Sequence, residues 1–410
     1  MILIQRHFLI KYIYPIFIFF YCLSLGTLVD RQYPLLRFVV IAISLPFFLH
    51  FTAAIKNRKR YSIILILGIF IFIWAVLNIK NIFFGDPESI YMLFFGIVFV
   101  VMIPIILLRH PREIKYLEFS LLFFAACVTG YAILHYLVIV NILGREVLFL
   151  GYEPFAFGRV SGILVNPLNL GPFLITFVNY ILFCQKKNQI ILFFLVISTI
   201  LILLTGNRSS FGLLLLTFIV YEFFQKKKII QHLIYLAMAI GVIKTLVPPN
   251  FYDFYINRGL AVFSVLFGQR KDESFSQRGE QNAENLSNIL TDPLNFIFGP
   301  GYSSRVTDSD IVSFLTHYGV FFTIFFYGLI IAGILFIGIP KNRKTNYDSL
   351  RIFLTLTTVQ ILISAIFVEG ITSPVVSGYY FAFFGVAVSL KIHYKDQLQK
   401  IHTKSSVVHH

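Results

Sequence analysis

Long apolar runs alternate with short polar stretches along nearly the whole chain. A helix needs about 20 residues to cross the hydrocarbon core of a bilayer, and the chain has a dozen runs that approach or reach that length. They lie near residues 12–29, 35–55, 61–79, 90–108, 117–141, 159–183, 189–205, 210–224, 229–247, 311–338, 350–368 and 375–392. The pattern therefore predicts an all-α polytopic membrane protein with about twelve transmembrane helices.

One polar stretch is much longer than the others and divides the chain. Residues 1–247 hold the first nine predicted helices, residues 248–309 form a large loop, residues 310–392 hold the last three helices, and residues 393–410 form a tail. Loops of this length are usually functional or disordered, and this one contains enough apolar residues to pack. We expect one integrated membrane domain with a partly helical loop between the ninth and tenth helices.

The composition agrees with this pattern, and the distribution of charge orients it. Hydrophobic residues make up 58% of the chain and charged residues 13%, whereas a soluble domain has about 25% charged residues. If both termini lie on one side of the membrane, that side holds 22 Lys/Arg and 5 Asp/Glu, and the other side holds 12 Lys/Arg and 14 Asp/Glu. The positive-inside rule then places both termini in the cytoplasm and the large loop outside. The net charge of +15 thus reflects topology, and no nucleic-acid partner is expected.

Arginines interrupt the apolar pattern near the predicted external face, and ionisable groups at membrane depth usually mark a site. Arg159 opens residues 158–171, whose glycines, asparagines and proline predict a broken or tightly packed helix. It either faces a polar cavity or extends to lipid phosphates. Arg208 lies in a tight hairpin, residues 205–210, as an anchor or as a phosphate ligand at a helix start. Arg278, in the loop helix, belongs either to a solvated face or to a site.

Acidic residues and one histidine are the other candidates. Asp308 and Asp310 precede the tenth helix, where carboxylates favour the helix start. Their spacing also suits a divalent cation, but two carboxylates are too few for a metal prediction. His317, about two turns into that helix, is either a packed or a catalytic side chain. Glu153 and Glu369 are either bases or surface charges, and neither a metal nor another cofactor is predicted.

Four of these segments together carry a family resemblance. Residues 158–169 match a G-R-x-S-G-x-x-x-N-P-N-like element, and residues 205–209 match a T-x-S-R-[GS]-like turn. Arg278 matches an arginine of an external loop, and residues 308–319 match the spacing of a [DH]-N-x-Y-L-x-x-L-x-x-x-G element. The chain resembles the O-antigen ligase/polymerase family of bacterial envelopes. The resemblance covers about residues 160–390, and the first half of the chain matches in topology only.

The resemblance favours a Wzy-type polysaccharide polymerase over an O-antigen ligase. Ligases typically have His where this chain has Asp308, and Ser309 stands where the family element has Asn. A polymerase joins undecaprenyl-diphosphate-linked repeat units into O-antigen, capsule or exopolysaccharide on the external face of the cytoplasmic (inner) membrane. The ligase alternative transfers the glycan to an acceptor lipid. The resemblance also implies a chain-length regulator protein as a partner.

The resemblance implies roles for individual residues as well. The leaving group is a diphosphate, so cations must stabilise developing negative charge. The expected cations are Arg159, Arg208 and Arg278. Further substrate contacts are expected from polar side chains in the same segments and the loop: Asn166, Asn207 and Tyr302. For the base that accepts a proton from the attacking hydroxyl, the candidates in order are Asp308, Glu369 and His317.

A flippase or transporter is the competing functional class. It would also have about twelve helices and charges that face a cavity. Transporters are often built from two similar halves, and the chain shows no such repeat, since its long loop lies on one side and in one half only.

Overall fold

The computed structural model describes residues 9–23, 113–148, 159–164, 167–185, 188–225, 273–299, 309–340, 345–367 and 374–407, with isolated positions at 62–69, 100–105, 241 and 245. This part of the chain is about 90% helical and contains no strand. Its α-helices are α1 (Tyr14–Leu23), α2 (Ile114–Ile139), α3 (Pro167–Cys184), α4 (Gln189–Leu204), α5 (Arg208–Gln225), α6 (Glu273–Leu290), α7 (Pro293–Phe298), α8 (Asp310–Ile337), α9 (Asn346–Phe367) and α10 (Pro374–Val407). A π-helical turn, Leu9–Ile13, precedes α1, and 3₁₀ turns lie at Arg145–Val147 and Gly162–Leu164.

Four of the described helices are long and apolar enough to cross a membrane: Ile114–Ile139, Pro167–Cys184, Asp310–Ile337 and Asn346–Ile366. Two shorter apolar helices are Lys11–Leu23 and Gln189–Leu204. These helices fit the predicted all-α membrane protein. The count of twelve spans and their orientation stay predictions, because the runs near 35–55, 61–79, 90–108 and 229–247 lie mostly outside the described residues.

Outside the predicted loop, the helix boundaries follow the apolar runs with two differences. The run that begins at residue 159 becomes helical in α3 only at Pro167, and residues 159–161 are buried without being helical. Proline suits the first position of a helix because its φ is already helical and the N–H it lacks would have no partner there. At the other end of the chain, α10 continues to Val407, so much of the predicted tail is helical.

Helix α3 is the centre of the bundle. Fifteen of its residues are buried, and it contacts α2, α4, α5, α9 and α10. A helix that is apolar and buried all round is typical of a position inside a helical bundle. Aromatic rings join it to its neighbours, as where Phe173 meets Phe124 of α2 edge-on at 5.4 Å between ring centroids.

Helices α3 and α5 lie side by side and run in the same direction. Gly171 of α3 lies against Ser210 in the first turn of α5, and Phe183 meets Tyr221 near the other ends of both helices. Helix α4 returns between them, so it ends where α5 begins. We call this end of the bundle, where residues 204–208 connect α4 to α5, the hairpin end.

A buried network of amides and hydroxyls fixes α9 against α3 and α5. The amide nitrogen of Asn179 donates to Gln360 Oε1 at 2.5 Å, and Thr217 Oγ1 donates to Asn179 Oδ1 at 2.8 Å. One residue further along α3, Tyr180 packs against Phe353, which lies earlier in α9, with ring centroids 5.7 Å apart. Helix α9 therefore runs opposite to α3, and its last residues lie at the hairpin end.

Helix α8 bends sharply at Gly319, whose φ of 76° and ψ of 178° are far from helical values. The rings of Phe314 and Phe326, on either side of the bend, have centroids 4.9 Å apart. Twelve residues of straight helix would separate the Cα atoms of these residues by about 18 Å. The span predicted over residues 311–338 is therefore divided into a short limb, residues 310–318, and a long limb, residues 320–337, which would reach about 27 Å.

Helix α7 ends directly against this bend. A Cβ atom on Gly299 would lie 2.9 Å from both the backbone nitrogen of Gly319 and the carbonyl carbon of His317. A Cβ atom on Gly319 would overlap the carbonyl group of Ile297. Both glycines have positive φ, 75° and 76°, a conformation that glycine adopts without steric cost. The backbones of α7 and α8 thus touch without an intervening side chain.

Candidate active site

The predicted tight hairpin between α4 and α5 is present and is built from its own polar groups. Thr205 ends α4, Gly206 turns the chain with φ 59°, and Asn207 caps α5. Asn207 Oδ1 accepts hydrogen bonds from the backbone N–H and the hydroxyl of Ser209, at 3.2 and 2.7 Å. An N-cap of this kind satisfies backbone groups that the first turn leaves open. Arg208 is therefore held at the first position of an eighteen-residue helix.

Arg159 lies beside this hairpin rather than extending away from it. Its Nε donates to the carbonyl oxygen of Thr205 at 2.7 Å, and the next backbone N–H, of Val160, donates to Leu204 O at 3.2 Å. The side chain is only 8% exposed. A cation at the carboxyl end of α4 is also favourable to the helix dipole. The structure thus brings Arg159 to the same hairpin as Asn207 and Arg208.

A histidine from α2 holds the segment that carries Arg159. His135 is buried, and its Nδ1 accepts the backbone N–H groups of Ser161 and Gly162 at 3.3 and 3.0 Å. An imidazole nitrogen that accepts these bonds carries a lone pair, so the proton of the neutral ring is on Nε2. Gly162, with φ 60°, also lies so close to α2 that a Cβ atom would be 3.0 Å from Ala132 Cβ. The predicted broken helix is thus a short buried segment tied to α2 and α4.

His135 was not a candidate in the sequence because it lies inside the apolar run near 117–141. A single histidine in such a run has no distinctive neighbours. Its role depends on Ser161 and Gly162, which are far away along the chain and reach it only in the folded bundle.

In the described part of the chain, two polar atoms of uncharged side chains at the start of α5 are buried without a hydrogen-bond partner. They are Asn207 Nδ2 and Ser210 Oγ, and the residues are 6% and 0% exposed. Both lie next to Gly171 of α3, whose missing side chain allows the close approach. Because buried polar groups in proteins almost always have a partner, these two donors give the hairpin end an unusual local polarity.

The short limb of α8 also begins at the hairpin end. Ser309 Oγ donates to the carbonyl oxygen of Ala365, near the end of α9, at 3.0 Å, and caps the limb by accepting from Val312 N at 3.4 Å. The cap is therefore Ser309 rather than Asp310. Asp310, the next residue, is completely buried, whereas the sequence favoured Asp308, which lies outside the described residues.

His317 lies on this short limb, two residues before the bend. Its Nδ1 is 2.6 Å from the carbonyl oxygen of Ser313. A carbonyl can only accept, so Nδ1 carries the proton and the lone pair of the neutral ring is on Nε2. This tautomer is the opposite of that of His135.

The remaining predicted residues are only partly described. Arg278 lies within α6, and the position of its side chain is outside the described part. Five further candidate residues lie outside the described residues altogether: Glu153, Asn166, Tyr302, Asp308 and Glu369. Within the described residues, no three His, Cys, Asp or Glu side chains lie together as a metal site would require. The chain matches no protein-family model and no curated protein sequence at a significant level.

Proposed function

We propose that this chain is a membrane glycosyltransferase that polymerises undecaprenyl-diphosphate-linked repeat units into a surface polysaccharide on the extracytoplasmic face of the bacterial cytoplasmic membrane. The observation that carries the proposal is the gathering of polar candidates at the hairpin end. Arg159, Asn207 and Arg208 meet there, and the limb that bears His317 begins there. In an apolar helical bundle, polar and ionisable groups gathered at one end usually mark a substrate site.

The hairpin supplies the charge that a diphosphate leaving group needs. Arg208 is the stronger candidate, because it stands at the first position of α5, where backbone N–H groups and the helix dipole favour an anion. Arg159 already donates from Nε to Thr205 O, and its positive charge adds to the field at the same place. Stabilisation of developing negative charge by fixed donors is usually the largest contribution to such catalysis.

The unpartnered donors beside Arg208 support an oxygen-rich ligand at this place. Asn207 Nδ2 and Ser210 Oγ are neutral groups that can donate to phosphate or sugar oxygens. Leaving a buried donor without a partner costs about 1–3 kcal/mol, and unsatisfied groups in native proteins often have a functional role.

His317 is the described residue best suited to act as the base. With its proton on Nδ1, the neutral ring can accept a second proton on Nε2 without losing its bond to Ser313 O. His135 could not do so on Nδ1, because that atom already accepts two backbone N–H groups. In the proposed step, the acceptor hydroxyl oxygen bonds to the anomeric carbon and its proton passes to the base. The bond from that carbon to the phosphate oxygen breaks, and the lipid diphosphate leaves with the electron pair.

A cellular test compares arginines at opposite ends of the bundle. Arg208→Ala is expressed in a cell that depends on this protein for its surface polysaccharide, with Arg351→Ala as the matched control. Arg351 lies at the far end, where its Nε donates to Gly338 O at 2.7 Å. Removing a donor to developing charge typically lowers a rate about 10²–10³-fold, so long chains should disappear in Arg208→Ala and persist in Arg351→Ala. Polysaccharide chains of normal length in cells with a normal level of the Arg208→Ala protein would refute the proposed role of Arg208 in binding the diphosphate.

A test with purified protein separates the functional classes. The protein is incubated with lipid-linked repeat units, with and without an added acceptor lipid. Covalent elongation of the repeat units supports a polymerase. Transfer that occurs only to the acceptor lipid indicates a ligase, and movement of substrate across vesicles without a new covalent product indicates a flippase or transporter.

A further inference from the structure

The end of α6 and the whole of α7 expose an unusual apolar surface. Four large side chains form it, and we call them the α7 apolar surface: Leu290, Leu294, Phe296 and Phe298. Leu290 and Leu294 are 67% and 64% exposed. These residues belong to the large loop that the sequence places outside the membrane. Soluble surfaces rarely carry such a cluster unless something covers it.

We propose that the α7 apolar surface is embedded in the outer leaflet of the bilayer and contacts lipid acyl chains. The first reason is the joint between α7 and α8. Gly299 and Gly319 bring the two backbones into direct contact, and Ile297 O lies against Gly319. Because no side chain intervenes, the depth of α7 in the membrane follows from the depth of the bend in α8.

The second reason is what begins at that bend. The long limb of α8, residues 320–337, carries no charged residue and is mostly apolar, and its first turns expose Phe321 and Ile324 by 65% and 67%. A limb of about 27 Å that crosses a hydrocarbon core of about 30 Å must present these side chains to lipid. Since α7 ends at the same backbone contact, its exposed side chains lie near the level where the lipid-facing surface of α8 begins.

The third reason is the contrast with α6. Most of the exposed side chains in the two to three turns before Leu290 are polar, among them Gln281, Glu284 and Ser287, and the exception is the small Ala283. The change from polar to apolar exposure along α6 and α7 is what a chain shows when it passes from water into the membrane interface. Helix α7 has six residues, and an apolar helix face in contact with a bilayer typically lies about 5–10 Å deep in the interface.

The location of this contact has a consequence that rests on the proposed function. His317 lies on the short limb that ends at Gly319, so a membrane-embedded α7 would hold this limb at the level of the lipid headgroups. A lipid-linked diphosphate has its reacting bond at that same level. The membrane contact itself does not depend on the proposed activity.

The test uses tryptophan as a reporter of lipid contact in the full-length protein. The chain has a single tryptophan, Trp74, which is first replaced by Phe. Single tryptophans are then introduced at Leu294 or Phe298, and the proteins are placed in bilayers whose acyl chains carry bromine, a contact quencher. Phe321→Trp serves as the lipid-facing reference, and Glu284→Trp is the polar control.

We expect Leu294→Trp and Phe298→Trp to lose about half or more of their fluorescence in brominated lipid, as an interfacially buried side chain should. Their quenching should match that of Phe321→Trp, and Glu284→Trp should respond instead to iodide in the water. Quenching of Leu294→Trp by iodide only would overturn the proposal, because the surface would then face water. Protection from both quenchers would overturn it too, because protein would then cover the surface.

This experiment distinguishes failure of the inference from failure of the proposed function, since it requires no substrate and no activity. If the tryptophans are quenched by lipid but purified protein makes no polymer, the membrane contact stands and the glycosyltransferase proposal falls. If polymer forms but the tryptophans face water, the reverse holds.

Discussion

Replacing His135 by phenylalanine should loosen the segment that carries Arg159 while preserving most of the buried volume. The imidazole Nδ1 accepts two backbone N–H groups, from Ser161 at 3.3 Å and Gly162 at 3.0 Å. Phenylalanine leaves both of these N–H groups without their acceptor in a buried place. Each such loss costs about 1–3 kcal/mol, which corresponds to about a 5- to 150-fold change in a local equilibrium.

Amide hydrogen exchange measures this change directly. In detergent-solubilised or bilayer-embedded protein, exchange of the Ser161 and Gly162 amides should accelerate by about that factor in His135→Phe. His135→Asn should restore protection, because Asn Oδ1 lies the same number of bonds from Cβ as Nδ1 does. His135→Gln places its acceptor one bond further out and should not. Unchanged exchange in His135→Phe would refute the assigned hydrogen bonds, and loss in His135→Asn equal to that in His135→Phe would show that ring packing is what matters.

Two further predictions concern the frame around the site. Gly319→Ala should strongly lower the thermal stability of the solubilised protein, since a positive φ in a residue with a side chain costs about 1–3 kcal/mol and the added Cβ would overlap the carbonyl of Ile297. The control Gly328→Ala, whose Cβ would meet no atom within 4 Å, should be nearly neutral, and equal losses of stability in the two variants would contradict the bend. Gln360→Leu should lower the free energy of unfolding by about 1–3 kcal/mol because it leaves polar partners such as Asn179 unsatisfied. Denaturation measures this loss against the control Val359→Ala, at an exposed position, and equal stability of the two variants would contradict the network.

Local sequence was sufficient to predict the helical class and the hairpin. Long apolar runs can satisfy their backbone groups in a membrane mainly as helices, and the described helices outside residues 248–309 follow those runs. The turn at residues 205–207 was also predictable, because Gly206 and Asn207 lie between two apolar runs and are residues that turns and helix caps favour. Arg208 is therefore at a helix start for local reasons.

The placement of the segment before α3, residues 159–164, was only partly predictable. The glycines and Pro167 indicated a broken helix, but they did not show which neighbour would satisfy the freed backbone groups. That partner is His135, from a helix earlier in the chain. Nothing in the local pattern around His135 distinguishes it from a packed histidine, because its function in the fold arises from a contact over a long sequence separation.

The sequence by itself determined that this chain is helical and apolar, that α5 begins at the Arg208 hairpin, and that polar residues interrupt the runs near one predicted face. Those properties follow from hydrophobicity, turn chemistry and helix capping, which act between near neighbours. Only the tertiary structure decided that Arg159 binds the carbonyl of Thr205, that His135 holds the segment after Arg159, and that α8 turns at Gly319. Glycine is common within transmembrane helices, so the bend became visible only from its packing against Gly299, a contact between backbones that the pattern of side chains does not encode.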